Sequence, residues 1–215
     1  MSNTNEKSVN NLVKFVVFVA ALIVAVSLYF LFTQPTQKKL QNVYSNSEKP
    51  LIGGPFIFKD SAGNIFDSEK KLKGKIRLVY FGFTYCPDVC PAALQKISGL
   101  VESLQGLGVN ISPIFITIDP KRDTQEALNE YMQNFHPNFI SLTSDEKEIE
   151  KLAKLFKIYY KIAPSKEPND LNYLIDHSVF IYLMNGNGEY LAHFDSSANQ
   201  AETLNQIIKI LRNSR

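Results

Sequence analysis

The stretch "IRLVYFGFTYCPDVCPAALQKISGLVESLQGLG", residues 76–108, determines the expected fold of this chain. Its first eight residues are apolar apart from Arg77 and rich in β-branched and aromatic side chains, which is typical of a central strand covered on both faces. The second half repeats apolar residues at the spacing of an amphipathic helix, at Leu94, Ile97, Val101 and Leu104. The only two cysteines of the chain, Cys86 and Cys90, lie between this strand and this helix.

Strands and helices alternate on the C-terminal side of this stretch. A second buried strand is predicted over Ile111–Asp119, followed by a helix with Thr124 at its N-cap and a short strand in "FISLT". A further helix is predicted over Ser144–Tyr160, with Ser144 at its start and acidic residues in its first turn. The amphipathic segment "AETLNQIIKILRNS" predicts a C-terminal helix.

Two hairpins complete the pattern. Phe56 and Phe58 alternate with other residues before the turn sequence "DSAGN", and "HSVFIYLM" and "EYLAHF" flank "NGNG". The chain therefore predicts an α/β fold with a mostly parallel central sheet flanked by helices and with antiparallel hairpins. Because the cysteine pair lies where the first long strand meets its helix, the layout is thioredoxin-like.

An apolar run precedes this domain. Phe15–Phe32 contains no charged residue and is long enough to cross a bilayer, which takes about 20 residues. We therefore expect an N-terminal tail (1–14), a transmembrane anchor (15–32), a polar tether (33–50) and a globular domain (51–215). A cleaved signal peptide is the alternative, although no pair of small residues follows the run.

Charge patterning gives little information about orientation but does narrow the class of partner. Lys7 and Lys14 before the apolar run balance Lys38 and Lys39 after it, so the positive-inside rule does not decide the orientation. No arginine precedes Arg77, which argues against a mitochondrial presequence and favours the bacterial inner membrane. The net charge of +2 without a basic run excludes a typical nucleic-acid-binding surface.

The cysteine loop predicts reactive thiols rather than a structural bridge. Proline is favoured at the first position of a helix, so a helix starting at Pro91 with Cys90 at its N-cap is expected. The positive end of that helix stabilises a thiolate, which is both a nucleophile and a metal ligand. A disulfide across three residues closes a very short loop and stabilises little, which disfavours a purely structural role.

One of the three histidines is a candidate third ligand. His136 lies in a predicted loop and His193 on a predicted strand of the hairpin, where solvated or half-buried roles are the default. His177 directly precedes a strand, after the polar loop Pro164–Asn172, and this topology brings it toward the cysteine loop. Two thiolates and one imidazole form a soft site of low coordination, which favours copper over zinc.

Three motifs in order give the chain a family resemblance. "GFTYCPDVCP", "FITIDPKRDT" and "YLIDHSVFIYLM" resemble the Sco/SenC copper-chaperone family, a membrane anchor followed by a thioredoxin-like domain. The resemblance implies that Cys86, Cys90 and His177 bind copper, as Cu(I) or Cu(II). It also implies that Asp119 lies near the metal as an outer residue or a weak ligand. One departure is Tyr85, since many members have histidine before the first cysteine.

The resemblance also implies a function and its partners. The expected role is copper delivery to the CuA site of cytochrome c oxidase subunit II, from a bacterial inner membrane with a single-pass anchor and a periplasmic domain. Other copper carriers and thiol reductases are further expected partners, and no substrate is turned over. The alternative is a membrane-tethered thiol-disulfide oxidoreductase in which Cys86 attacks and Cys90 resolves. A peroxiredoxin-like peroxidase fits the "CPDVC" loop poorly.

Two charged neighbours of Asp119 have a simpler interpretation. Arg122 and Asp123 are adjacent in "IDPKRDT", so they are expected to pair with each other on the surface.

Overall fold

The structure, a computed structural model, describes residue 14 and residues 17–29, 51–163 and 173–214. The chain divides into two units, residues 1–48 and 49–215, which are considered separately. In the first unit, residues 17–29 are helical. Across these described ranges, no helix is both long enough and apolar enough to cross a bilayer. The predicted tether (33–50) and the predicted loop Pro164–Asn172 lie outside the described residues, as do the predicted tail except Lys14 and the ends of the predicted anchor.

The second unit alternates strands and helices. Its strands are Ile57–Asp60 (β1), Ile65–Asp67 (β2), Ile76–Gly82 (β3), Ile111–Thr117 (β4), Ile140–Thr143 (β5), Tyr160–Ile162 (β6), Ile175–His177 (β7), Phe180–Met184 (β8) and Tyr190–Asp195 (β9). Its helices are Ser68–Lys71 (α1), Val89–Gly106 (α2), Gln125–Met132 (α3), Glu146–Leu155 (α4) and Gln200–Asn213 (α5). The α/β class and both predicted hairpins are confirmed.

The central sheet is mixed rather than mostly parallel. Among the described residues, seven strands lie in the order β2-β1-β5-β4-β3-β8-β9, and only the pairings β3–β4 and β4–β5 are parallel. Parallel neighbours need a crossover, and only β3–α2–β4 and β4–α3–β5 supply a helix between adjacent parallel strands. The other pairings, β1–β2, β1–β5, β3–β8 and β8–β9, are antiparallel, and short turns join β1 to β2 and β8 to β9.

The core forms around the two central strands, as the apolar runs predict. Every residue of β4 is buried, and β3 is buried from its second residue onward. The four apolar positions predicted for the first long helix, Leu94, Ile97, Val101 and Leu104, are all fully buried in α2. Burial of a large apolar side chain contributes about 1.5–3 kcal/mol, so these elements form a rigid base for the loop between them.

The start of α2 differs from the prediction. The helix begins at Val89 with Asp88 as its N-cap, so Cys90 is its second residue and Pro91 its third. Proline is tolerated there because the first four N–H groups of a helix have no intrahelical partner, and the missing N–H of Pro91 costs no hydrogen bond. The prediction of a helix starting at Pro91 with Cys90 at its N-cap is therefore wrong by two residues.

The fourth helix also has different ends from those predicted. Asp145, not Ser144, caps α4 by accepting a hydrogen bond from the Glu148 amide at 3.0 Å. The helix stops at Leu155, because Lys157 adopts a left-handed backbone conformation with φ of 57°. The following residues form β6, which pairs with β7 in a separate two-stranded ladder. By contrast, Thr124 caps α3 as predicted.

Candidate metal centre

Three side chains converge at the carboxyl end of β3. Cys86, Cys90 and His177 each present one donor atom, and these atoms lie within 4.8 Å of one another. The Cys90 sulfur lies 3.5 Å from Nε2 of His177. Cys90 is fully buried, Cys86 is 8% exposed and His177 is half-buried, so the group opens to solvent beside Cys86 and His177. In the described part of the chain this is the only His, Cys, Asp and Glu group with such spacing.

The two cysteines are placed by the junction of β3 and α2. The backbone amide of Cys90, free at the helix start, donates to the Cys86 sulfur at 3.4 Å. Gly82, the last residue of β3, lies directly against the Cys90 side chain. A Cβ atom at this position would come within 2.8 Å of the Cys90 sulfur, which leaves space only for glycine.

His177 is placed by the small β6–β7 ladder, in which it pairs with Tyr160. Its Nδ1 lies 2.9 Å from the carbonyl oxygen of Ser178. Because a carbonyl only accepts, Nδ1 donates to it, and Nε2 faces the sulfurs. The ring also packs edge-on against Phe83, with centroids 5.8 Å apart, and against Tyr80 at 6.4 Å. The other two histidines lie elsewhere, His136 after α3 and His193 on β9.

The two thiols differ strongly in acidity. The hydrogen bond from Cys90 lowers the pKa of Cys86 to about 4 against the opposing effect of burial, and His177 and the amides of Cys90 and Asp88 lower it further. The bond to Cys86, followed by burial, raises the pKa of Cys90. These opposite changes favour a thiolate on Cys86 and a thiol on Cys90, joined by the hydrogen bond between the two sulfurs.

This acidity predicts which cysteine reacts with an alkylating agent. Iodoacetamide attacks thiolates, so Cys86 is expected to be labelled first, at a rate that is nearly constant from about pH 6 to about pH 8. Peptide mass spectrometry of the reduced protein after timed labelling measures this rate, and a Cys86→Ser variant reports Cys90 alone. A labelling rate at Cys86 that rises about a hundredfold across this range, as for an ordinary thiol, would contradict the assignment.

The donor set fits a soft metal ion. Bonds of about 2.0–2.3 Å from nitrogen or sulfur place the donors of a planar three-coordinate site about 3.5–4.0 Å apart, close to the spacing of these three atoms. Zinc in structural sites takes four protein ligands, and no fourth His, Cys, Asp or Glu of the described residues joins the group. Thiolate and imidazole donors at this low coordination suit Cu(I).

Asp119 lies outside this donor group. Its side chain is buried, and its carboxylate accepts hydrogen bonds from Nε of Arg122 and from the Tyr173 hydroxyl, the latter at 2.6 Å. Its carboxylate is therefore engaged by two other side chains. Its predicted place near the metal, as an outer residue or a weak ligand, remains a prediction.

Asp123 has a role that the sequence prediction missed. The residue is fully buried and does not pair with Arg122 on the surface, so that prediction is wrong. Its carboxylate accepts hydrogen bonds from the Thr84 amide, the Thr84 hydroxyl at 2.6 Å and the Thr117 hydroxyl at 2.5 Å. Thr84 is two residues before Cys86, so Asp123 joins the start of the cysteine loop to the end of β4.

The fold and the site together define a class of protein, a thioredoxin-like α/β domain with a Cys-x3-Cys pair and a histidine in reach of one metal ion. The family model described as SCO1/SenC matches residues 44–212. The chain belongs to the SCO1/SenC family, as its motifs predicted.

Similar proteins agree with this membership. The chain is 46% identical over 200 residues to an SCO2-like protein of Rickettsia prowazekii, which covers 90% of this chain and 96% of that one. It is 36% identical to Arabidopsis thaliana ScoI, solved with copper bound, with a TM-score of 0.69 over 75% of this chain and 99% of that one. Yeast Sco1 with copper bound gives the same identity and TM-score, over 76% and 90%. The predicted thioredoxin-like α/β fold of this family is confirmed.

Proposed function

We propose that this protein is a membrane-anchored copper metallochaperone that carries one copper ion on Cys86, Cys90 and His177. Its proposed acceptor is the CuA site of cytochrome c oxidase subunit II, and other copper carriers and thiol reductases are further proposed partners. The observation that carries the proposal is the convergence of three soft donors within 4.8 Å. Relatives solved with copper bound support copper as the cargo.

The geometry supports both capture and release of the ion. The lowered pKa of Cys86 favours a thiolate as the first ligand, whereas Cys90, whose pKa is raised, has to lose its proton when the metal binds. The imidazole of His177 provides the third ligand through Nε2. Because only three ligands hold the ion and two of them border solvent, a ligand from an acceptor protein has room to bind before the ion leaves.

The proposed location rests on the N-terminal sequence. The apolar run Phe15–Phe32 supports a single-pass anchor in a bacterial inner membrane, with the domain 51–215 on the periplasmic side at the end of a polar tether.

A His177→Ala variant tests the proposed function. Removing a hydrogen-bonding partner of a metal ligand usually weakens metal binding by about tenfold or more. Removing His177, a direct ligand, is therefore expected to weaken Cu(I) binding by more than about tenfold. The measurement is a titration of Cu(I) into the reduced protein in competition with a chromogenic chelator. His193→Ala is the matched control, since His193 is an exposed histidine on β9. Equal affinities of wild type and His177→Ala would refute the three-ligand site.

A second candidate function has its own observation in its favour. The low pKa of Cys86 and the adjacent Cys90 suit a thiol-disulfide oxidoreductase acting on the cysteines of the same oxidase subunit. The Cys86 thiolate would attack a target disulfide and release one target thiolate. Cys90 would then attack the Cys86 sulfur and release the second, so two electrons pass to the target as the Cys86–Cys90 disulfide forms. This chemistry does not need His177, so full oxidase assembly with the His177→Ala variant would favour it.

A further inference from the structure

Arg122 lies at the centre of a buried cluster beside the metal site. Its side chain is only 5% exposed, and its Nε donates to the carboxylate of Asp119. Its Nη1 donates to the carbonyl oxygen of Tyr173 at 2.7 Å. The guanidinium also lies over three aromatic rings, 3.6 Å from the centroid of Tyr173, 4.7 Å from Tyr85 and 5.7 Å from Phe83.

This set of residues, here called the Arg122 cluster, joins three separate segments of the chain. Phe83 and Tyr85 belong to the cysteine loop, Asp119 and Arg122 to the loop after β4, and Tyr173 to the segment that leads into β7. The Tyr173 hydroxyl donates to Asp119, so Asp119, Arg122 and Tyr173 bond one another in a closed ring. A planar guanidinium can stack and donate at once, which an ammonium group cannot do.

The position of Tyr173 links this cluster to the third donor. Tyr173 lies four residues before His177, and the intervening residues include most of β7. In the described part of the chain, β7 pairs only with β6, and this ladder shares no strand with the seven-stranded sheet. The backbone hydrogen bonds of the seven-stranded sheet therefore do not hold the segment that leads through β7 to His177. The Arg122 cluster provides a side-chain attachment of this segment to the cysteine loop.

We infer that Arg122 is a positioning residue, which holds the segment carrying His177 against the cysteine loop and so sets the distance between the imidazole and the two sulfurs. Asp119 balances its buried charge, which gives that residue a role without metal contact. Loss of the cluster would free Tyr173 and let His177 move away from Cys90. This inference rests on the proposed function for its effect on copper, but its structural part does not.

A double-mutant cycle in the full chain, purified reduced in detergent, tests the effect on copper. Arg122→Gln is expected to weaken Cu(I) binding by about tenfold in the protein with His177, the effect typical of an outer partner. In the His177→Ala background the same change should alter the affinity by less than about twofold, because Arg122 acts through His177. An equal loss in both backgrounds, or no loss in either, would overturn the inference.

A measurement without metal tests the structural part. In the reduced, copper-free protein, hydrogen exchange at the amides of residues 173–178 is expected to be faster in Arg122→Gln, while exchange within β3 stays unchanged. The matched control is Arg77→Gln, since Arg77 is a buried arginine that donates to the Leu72 carbonyl away from the cysteine loop. Unchanged exchange at residues 173–178 would overturn the inference. If wild type binds no copper but exchange at residues 173–178 is still faster in Arg122→Gln, the proposed function fails and the positioning role of Arg122 stands.

Discussion

Replacing Gly82 by alanine is expected to damage both the stability of the domain and its metal site. A Cβ atom there would lie 2.8 Å from the Cys90 sulfur, 3.0 Å from Cε2 of Phe115 and 3.1 Å from Cε1 of Tyr80. All three neighbours are fully buried, so none can move away without disturbing the core. We expect a loss of about 1–3 kcal/mol in the free energy of unfolding, together with a displaced Cys90 sulfur and weaker Cu(I) binding.

The control for this substitution is Gly106→Ala. A Cβ atom on Gly106, the last residue of α2, would meet no atom within 4 Å apart from its chain neighbours and the backbone of its own helix, so this change should be neutral or slightly stabilising. Urea unfolding and Cu(I) titration of both variants give the comparison. If the Gly82→Ala and Gly106→Ala variants have equal unfolding free energies and equal Cu(I) affinities, close packing against Cys90 does not require glycine at position 82.

Replacing Asp123 by alanine is expected to cost about 3 kcal/mol or more, because a buried carboxylate that accepts three hydrogen bonds is removed. The Thr84 amide and hydroxyl and the Thr117 hydroxyl would lose this acceptor inside the core. Since Thr84 lies in the cysteine loop, two residues before Cys86, Cu(I) affinity should fall as well. Urea unfolding at neutral pH measures the loss of stability. A change below about 1 kcal/mol would contradict the role given to Asp123.

The matched variant Asp123→Asn separates charge from hydrogen bonding. Burial raises the pKa of Asp123 from its ordinary value of 3.8, although Thr117 and Thr84 partly oppose this. A raised folded-state pKa contributes stability that is fully present below the unfolded-state pKa and is lost as the pH rises through the folded-state pKa. Wild type should therefore lose stability relative to Asp123→Asn as the pH rises above about 4. The opposite trend in urea unfolding would contradict the burial effect.

The sequence predicted the long elements well and the short ones poorly. The strands around Val79 and Phe115 were predictable because each is a nearly continuous apolar run, and the helix through Leu94 because it is long enough to show its own period. Strands β6 and β7 have three residues each, too few to show alternation, and the turn at Lys157 has no glycine to indicate it. The N-terminal boundary of α2 lies two residues before the predicted one, with Asp88 rather than Cys90 as its N-cap, and that of α4 is capped by Asp145 rather than Ser144.

The same contrast applies to the site. Cys86 and Cys90 occur within one loop, and His177 could be placed beside them from the order of strands alone. Arg122 and Asp123 carried no comparable signal. Their partners Tyr173 and Thr84 lie 51 and 39 residues away in sequence, so their roles depend on tertiary contacts that no local pattern shows.

Metal content and ligand type in the purified, reduced protein test the central claim most directly. After loading with Cu(I) and removal of excess metal, elemental analysis is expected to find one copper per chain, and X-ray absorption to find two sulfur ligands and one nitrogen ligand. Binding of copper through nitrogen and oxygen alone, or failure to retain copper, would contradict the assignment of Cys86, Cys90 and His177 as its ligands.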